Sequence, residues 1–292
     1  MLKEQAAGVP TDLNTHNQPT WCPGCGNFGI FTALKNAFLE LSLDPSTILC
    51  VEGIGCHGHV VNFLQVNHFE GLHGRPLPIA QGAKLANHEL NVFVLTGDGD
   101  CLGEGGNHFL HALRRNVDLV CLIHNNQRYS LTTGQTSPTT EQGDRTKTSL
   151  KGVLEKPVNP VALAIASGGG FVARGFAGDV DHLAKMIVAA HRHKGFAVVD
   201  ILQPCVTFNK LNTFDYFLKR VYKLGEQEGY QPNDKQMAFK KSLEWGERIP
   251  IGIFYQEERP VYEEQLPQLA HASLVESKVE SFDFEKILQV YS

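Results

Sequence analysis

Several features are missing from this 292-residue chain, and each absence narrows what it can be. No basic run is longer than a doublet (Arg114-Arg115, Lys240-Lys241), and 26 Lys plus Arg against 31 Asp plus Glu leave a formal net charge of -5. A nucleic-acid groove needs a concentrated basic surface, so nucleic acid is not an expected partner. The longest uninterrupted apolar stretches, at residues 161–166 and 186–190, fall far short of the roughly 20 residues that cross a bilayer, so no membrane span is expected. Met1, Leu2, Lys3 and Glu4 begin neither an apolar core segment nor a small-residue cleavage site. A secretory leader is therefore not expected, and the cytoplasm is the expected compartment. No internal repeat and no low-complexity tract occurs.

What is present is ordinary globular composition, 42% hydrophobic and 20% charged, with length for one large domain or two small ones. The composition shifts near residue 210. Of 28 glycines, 24 precede Leu211, as do 12 of 13 histidines and all seven cysteines. The expected division is a cofactor-binding domain over residues 1–210 and a C-terminal extension over 211–292, packed on the core or on a partner. The spacing predicts an amphipathic helix over 28–41, with apolar Phe28, Phe31, Leu34, Phe38 and Leu41 three and four apart. Continuously apolar strands are predicted at 47–51, 91–95, 117–123, 171–173 and 196–202, with helices at 78–88, 105–115, 161–167 and 180–191 between them. Such alternation gives an α/β fold, a parallel sheet with helices on both faces, whose ligands bind at the carboxyl ends of the strands. Beyond 210, helices are predicted at 214–224 and 234–245 and an extended segment at 249–255.

The chemistry starts with Gly97-Asp98-Gly99-Asp100, an acidic turn closing the 91–95 strand. Counted from Gly99, 25 intervening residues lead to Asn125-Asn126, at the end of the next predicted strand. Neighbouring strand ends place Asp98, the Asn126 amide oxygen and the Arg128 backbone carbonyl side by side as hard oxygen ligands, which with phosphate and water suit magnesium. Gly103, Gly105 and Gly106, at the start of the intervening helix, are expected to leave N–H groups for phosphate. Cys22-Pro23-Gly24-Cys25-Gly26 is a Cys-x-x-Cys loop, Cys56 lies in a Gly-Ile-Gly-Cys turn, and Cys205 follows the 196–202 strand. Four thiolates so arranged fit zinc or an iron-sulfur cluster equally well by spacing alone. Cys50, Cys101 and Cys121 read as buried packing residues.

Gly-Asp-Gly, about 25 residues and Asn-Asn resemble the thiamine diphosphate motif. With the run Tyr129-Ser130-Leu131-Thr132-Thr133-Gly134-Gln135-Thr136-Ser137-Pro138 and the cysteines, residues 15–265 resemble the beta subunit of 2-oxoacid:ferredoxin oxidoreductases. The resemblance implies a thiamine diphosphate-binding fold with Mg2+ held by Asp98, Asn126 and Arg128. It implies one 4Fe-4S cluster on Cys22, Cys25, Cys56 and Cys205. It also implies cofactor contacts from Ile54, Gly55, Cys56, His57 and His73, and from Gly99, Asp100, Ser130 and Leu131, with His57 and His73 as catalytic residues. Read on its own, a histidine in the Leu72-His73-Gly74-Arg75 turn is a hydrogen-bonded surface residue. The chain departs from the family at His57, where relatives commonly carry serine, and at Thr133, where several carry lysine.

The activity the resemblance implies is CoA-dependent oxidative decarboxylation of 2-oxoglutarate to succinyl-CoA with reduction of ferredoxin, reversible under reducing conditions. Arg75, Arg128 or a partner residue is expected at the distal carboxylate. The expected partner is a larger alpha subunit, in an alpha-beta unit that dimerises. The rivals are the pyruvate enzyme of the same family, a non-redox thiamine decarboxylase or synthase, and a zinc-stabilised binding module.

Overall fold

Buried strands are what the apolar runs build. A computed structural model describes residues 12–270, 272–276 and 284–291; the first four residues, read above for a leader, lie outside these. The chain runs α1 (Gly26–Glu40), β1 (Ile48–Glu52), β2 (Asn67–Glu70), α2 (Pro76–Ala86), β3 (Asn91–Gly97), α3 (Gly106–Arg115), β4 (Leu119–Asn125), α4 (Pro160–Ala166), β5 (Phe171–Phe176), α5 (Val180–Arg192) and β6 (Phe196–Leu202). There follow α6 (Phe214–Leu218), β7 (Val221–Lys223), α7 (Lys235–Ser242), β8 (Ile249–Gln256) and α8 (Phe284–Tyr291). The eight strands form one sheet in the order β2-β1-β3-β4-β6-β5-β8-β7. Every pairing is parallel except that of β5 with β8, so the expected parallel sheet carries one antiparallel join, supplied by the segment beyond 210.

Alternate residues of the central strands feed two cores. Phe93 and Leu95 of β3 pack with Ile30, Leu34 and Phe38 of α1 and Leu183 and Ile187 of α5 on one face. Val92 and Val94 pack with Leu77 of α2, Phe109 and Leu113 of α3 and Ile165 of α4 on the other. Helices therefore do cover both faces. Asp179 and Asn159 cap α5 and α4 by accepting backbone N–H groups of His182 and Ala162.

Two expectations are corrected. The helix predicted over 214–224 stops at Leu218, and Val221–Lys223 instead pairs with Ile249–Ile251 of β8 as an edge strand. The helix expected from Gly105 is preceded by a wide π turn over Gly99–Glu104, in which the Gly105 N–H bonds the Asp100 carbonyl. That N–H is already satisfied, and Gly103, Gly105 and Gly106 lie outside the lining of the acidic cleft described below.

Candidate active site

The carboxyl ends of β1, β3, β4 and β6 meet at one edge of the sheet, and the turns leaving them carry nearly all the residues singled out above. Asp98 directly follows β3 and is buried. Ser137 and Thr139 both donate to its Oδ2, at 2.5 and 2.6 Å, leaving Oδ1 without a bond from either hydroxyl. Burial pushes the Asp98 carboxyl up to about 6 against these stabilising hydrogen bonds. Asn126 follows β4, and its Oδ1 accepts the Arg128 N–H at 3.0 Å, with Gln127 between them at φ 58°. The Asn126 amide oxygen also accepts from the Ser130 hydroxyl at 3.2 Å, and this Asx turn brings Asn126 and Arg128 to line one cleft with Asp98.

The same cleft is lined by Ile54, Gly55, Cys56 and His57 from the turn after β1, by His73, and by Gly99, Asp100, Ser130 and Leu131. Asp100 is the hub that binds these turns together. Its Oδ1 accepts His73 Nδ1 at 2.6 Å, the Gly74 N–H at 2.7 Å and the Ile54 N–H at 3.3 Å, while Thr96 donates to Oδ2 at 2.6 Å. The Asp100 carboxylate is thus spent on protein donors, and it fixes the ring of His73. His57 is buried beside Gly55 and Gly97, and burial pushes its imidazole down to about 4. Its Nε2 has no hydrogen-bond partner. Tyr129 closes the π turn, its hydroxyl donating toward Glu104 and the Gly99 carbonyl. A Cβ at Gly99 would lie 2.3 Å from the Tyr129 ring, so only glycine permits this closure.

Both arginines offered for a distal carboxylate are partly engaged within the chain. Arg128 pairs with Asp144 and donates to the Gln127 carbonyl, and Arg75 donates to the Gly74 and Glu104 carbonyls.

The four thiols meet in an adjoining cavity of about 250 Å³, lined by Cys22, Cys25, Cys56 and Cys205. Trp21 anchors the loop by donating from Nε1 to the Cys56 carbonyl at 2.7 Å, its indole edged against Phe28, Phe31 and Phe63. A Cβ on Gly26 would lie 2.7 Å from Gln203, which explains a glycine after the second cysteine. Gln203 donates to the Cys25 sulfur at 3.7 Å and Ser130 to the Cys205 sulfur at 3.3 Å. Burial, with the other thiols adding, pushes Cys56 up to about 12 and raises Cys25. Cys101 and Cys121 are buried elsewhere, as expected of packing residues, and Cys50 is buried on β1. Cys56, Asn126, Ser130 and Leu131 line both the cleft and the cavity, so a single layer of side chains separates them.

Sequence reasoning left Thr96, Ser137, Thr139, Trp21 and Gln203 without roles. Ser137 and Thr139 stand in the polar run after Asn126, but a hydroxyl's partner is set only when the loop folds back over Asp98.

Comparisons with known proteins bear on the same segments. Residues 53–201 match the family model described as thiamine pyrophosphate enzyme, C-terminal TPP binding domain. Residues 205–271 match the family model for the C-terminal part of the pyruvate ferredoxin oxidoreductase beta subunit. The 2-oxoacid:ferredoxin oxidoreductase subunit beta of Saccharolobus solfataricus is 50% identical over 274 residues, 90% of this chain and 88% of the relative. The 2-oxoglutarate oxidoreductase subunit KorB of Mycobacterium tuberculosis is 42% identical over 221 residues, 73% of this chain and 59% of the relative. Among solved structures, 2-oxoglutarate:ferredoxin oxidoreductase from Magnetococcus marinus, with 2-oxoglutarate, coenzyme A and succinyl-CoA bound, aligns with a TM-score of 0.89 at 32% identity, covering 99% of this chain and 98% of that one.

Proposed function

We propose a division of labour for a chain that belongs to the beta subunits of the 2-oxoacid:ferredoxin oxidoreductases: it grips thiamine diphosphate through Mg2+ in the acidic cleft and holds one 4Fe-4S cluster beside it. The observation that carries this reading is the shared wall of Cys56, Asn126, Ser130 and Leu131 between the two sites. The donor sets fit the groups. Asp98 Oδ1, Asn126 Oδ1 and the Arg128 carbonyl are hard oxygen donors suited to Mg2+. A single zinc would need its four sulfurs about 3.8 Å apart, from Zn–S bonds near 2.3 Å. Among the described residues, no three of these four sulfurs lie within 4.8 Å of one another. That spacing favours a cluster, in which each thiolate binds a different iron.

When bound, thiamine diphosphate supplies the electron sink for decarboxylating a 2-oxoacid, and the cluster a one-electron carrier toward ferredoxin. The chain's own residues prepare the site for this. Asp98 and Asn126 hold the cation, with Ser137 and Thr139 fixing the carboxylate from behind. His73, its Nδ1–H held by the Asp100 carboxylate, lines the cleft with Nε2 as an acceptor when the ring is neutral and as a donor to a phosphate oxygen when the ring is protonated. Buried His57 stays neutral at pH 7, its Nε2 without a hydrogen bond and 3.8 Å from Asp100 Oδ2 beside the cofactor turn. Ser130 and Gln203 direct hydrogen bonds to two of the sulfurs, which tune a cluster's potential.

The proposed reaction is CoA-dependent conversion of 2-oxoglutarate to succinyl-CoA and CO2. It is supported by relatives named for 2-oxoglutarate and by the solved structure's bound 2-oxoglutarate, coenzyme A and succinyl-CoA. The second reading is pyruvate, favoured by the family described for residues 205–271. The site is completed by an alpha subunit, in an alpha-beta unit that dimerises, and 211–292 is assigned as a C-terminal extension, of which β8 and β7 form the sheet's far edge. Four free thiols need a reducing compartment, so we place the chain in the cytoplasm. Ferredoxin reduction by the alpha-beta complex, followed with 2-oxoglutarate and with pyruvate, tests the assignment. A clear preference for 2-oxoglutarate is expected, and a preference for pyruvate overturns it.

A further inference from the structure

Away from the cofactor cleft, the described residues bring together another set of metal-type donors: the Cys50 thiol, the Glu52 carboxylate and the His68 imidazole, whose ligand atoms all lie within 4.8 Å of one another. The sheet itself assembles them. Cys50 and Glu52 stand two apart on β1 and so project from the same face, and the parallel register sets His68 of β2 directly beside Cys50. The segment after Cys56 returns over this face, and its Leu64 carbonyl lies 2.9 Å from His68 Nε2. A carbonyl can only accept, so Nε2 carries a proton and the ring turns Nδ1 toward Glu52 Oε1, 2.6 Å away. One ring N–H tied to a backbone carbonyl, with the other nitrogen facing a donor set, is the arrangement that orients histidine metal ligands. A second observation points the same way. Glu52 is wholly buried, and its Oε2 has no hydrogen-bond partner, so nothing in the protein compensates that oxygen for its lost water.

We propose that Cys50, Glu52 and His68 form a structural site for one borderline divalent cation of the zinc type, separate from the four-thiol cavity. A thiolate with an imidazole selects such a cation over Mg2+ or Ca2+. The two oxygens of Glu52, including the unpartnered one, bring the donor count to the four that structural zinc takes. The charge closes: one thiolate and one carboxylate neutralise the dication, so no net charge is buried. Loading displaces two protons, the one on the Cys50 thiol and the one shared across the 2.6 Å contact of Glu52 with His68. The cation pins edge strand β2 to β1, the strand that leads directly into the cofactor turn Gly53-Ile54-Gly55-Cys56. None of the three donors lines the cleft or the thiol cavity, so the site stands whether or not the redox reading does.

The test uses the alpha-beta complex with its cluster loaded, incubated with a small excess of zinc sulfate and desalted. Zinc and iron are counted by elemental mass spectrometry, and the zinc environment is read by X-ray absorption. The expected result is retained zinc with a mixed shell of one sulfur and several nitrogen and oxygen ligands, lost in Cys50→Ser and in His68→Gln at unchanged iron content. No retained zinc, an all-sulfur shell, or zinc that persists in both variants would overturn the proposal. The absorption spectrum of the unmodified complex decides by itself should a variant fail to fold.

Discussion

His57 shows how one side chain ties stability to the site. Its imidazole is enclosed between Gly55, Gly97 and the ring of His124, and burial holds it near 4 against an ordinary 6.5, the nearby Asp100 charge only partly offsetting this. In the unfolded chain the ring protonates below 6.5, whereas in the folded chain it stays neutral down to about 4. The unfolded state thus binds the extra proton, and stability falls as pH drops through that window, by about 3 kcal/mol for this group. His57→Gln should flatten the pH dependence of chemical unfolding between pH 7 and 4 by that amount; parallel curves for the two proteins would refute the assignment. Asp98 works with the opposite sign, its carboxyl raised to about 6. A protonated Asp98 is no cation ligand, so affinity of the complex for thiamine diphosphate with Mg2+ should decline below about pH 6. Asp98→Asn should weaken it at pH 7.5 by about 30- to 150-fold, the effect of losing an interaction worth roughly 2–3 kcal/mol. Calorimetric titration measures both, and wild-type affinity in the variant would remove Asp98 from the site. At this scale the sequence was legible where strand-end turns and the Cys-x-x-Cys loop converge, as for Cys22, Cys25, Cys56 and Cys205, which line one cavity. It was silent where a role depends on what folds back over it, as for Ser137 and Thr139 on Asp98, or Glu52 against His68.

Elements matter through what they hold rigid behind the turns. Asn125 at the end of β4 donates to Asp200 Oδ1 of β6 at 2.9 Å, and Arg174 of β5 donates to Asp200 Oδ2 at 2.9 Å. Thr139 lies 3.0 Å from Asn125 Oδ1 and 2.6 Å from Asp98, so three adjacent strands support the acidic turn through one buried polar chain. Arg174 and Asp200 are each almost fully buried, and removing one partner leaves an uncompensated charge. Asp200→Ala should therefore cost about 3–5 kcal/mol, lowering the melting temperature by roughly 6–15 °C for a chain of this size. A loss under about 1 kcal/mol in thermal unfolding would show that the pair does not carry the strands. The strands at 91–95 and 196–202 were readable because both of their faces are apolar, as burial within a sheet demands. β2 was not, since Asn67-His68-Phe69-Glu70 is a short polar edge, and β7 was hidden because Val221–Lys223 continues a helical apolar spacing until its pairing with β8 overrides it.

For the whole molecule, the topology concentrates function at one edge of the sheet. Parallel strands β1, β3, β4 and β6 all end there, so turns far apart in sequence, from Cys22 to Cys205, close on a cleft and a cavity that share a wall. That convergence is what a sequence conveys only indirectly, through strand ends and their glycines. On the proposed reading, Cys56, which lines both, would link the cofactor of the cleft to the cluster of the cavity. The most direct measurement is the visible absorption of the anaerobic alpha-beta complex as 2-oxoglutarate and coenzyme A are added without ferredoxin. The account predicts a broad iron-sulfur band, carried by about four irons on this chain, that bleaches on substrate addition and no longer appears in Cys205→Ser. A band that dithionite bleaches but substrate leaves unchanged, or a chain that holds no iron, would contradict it.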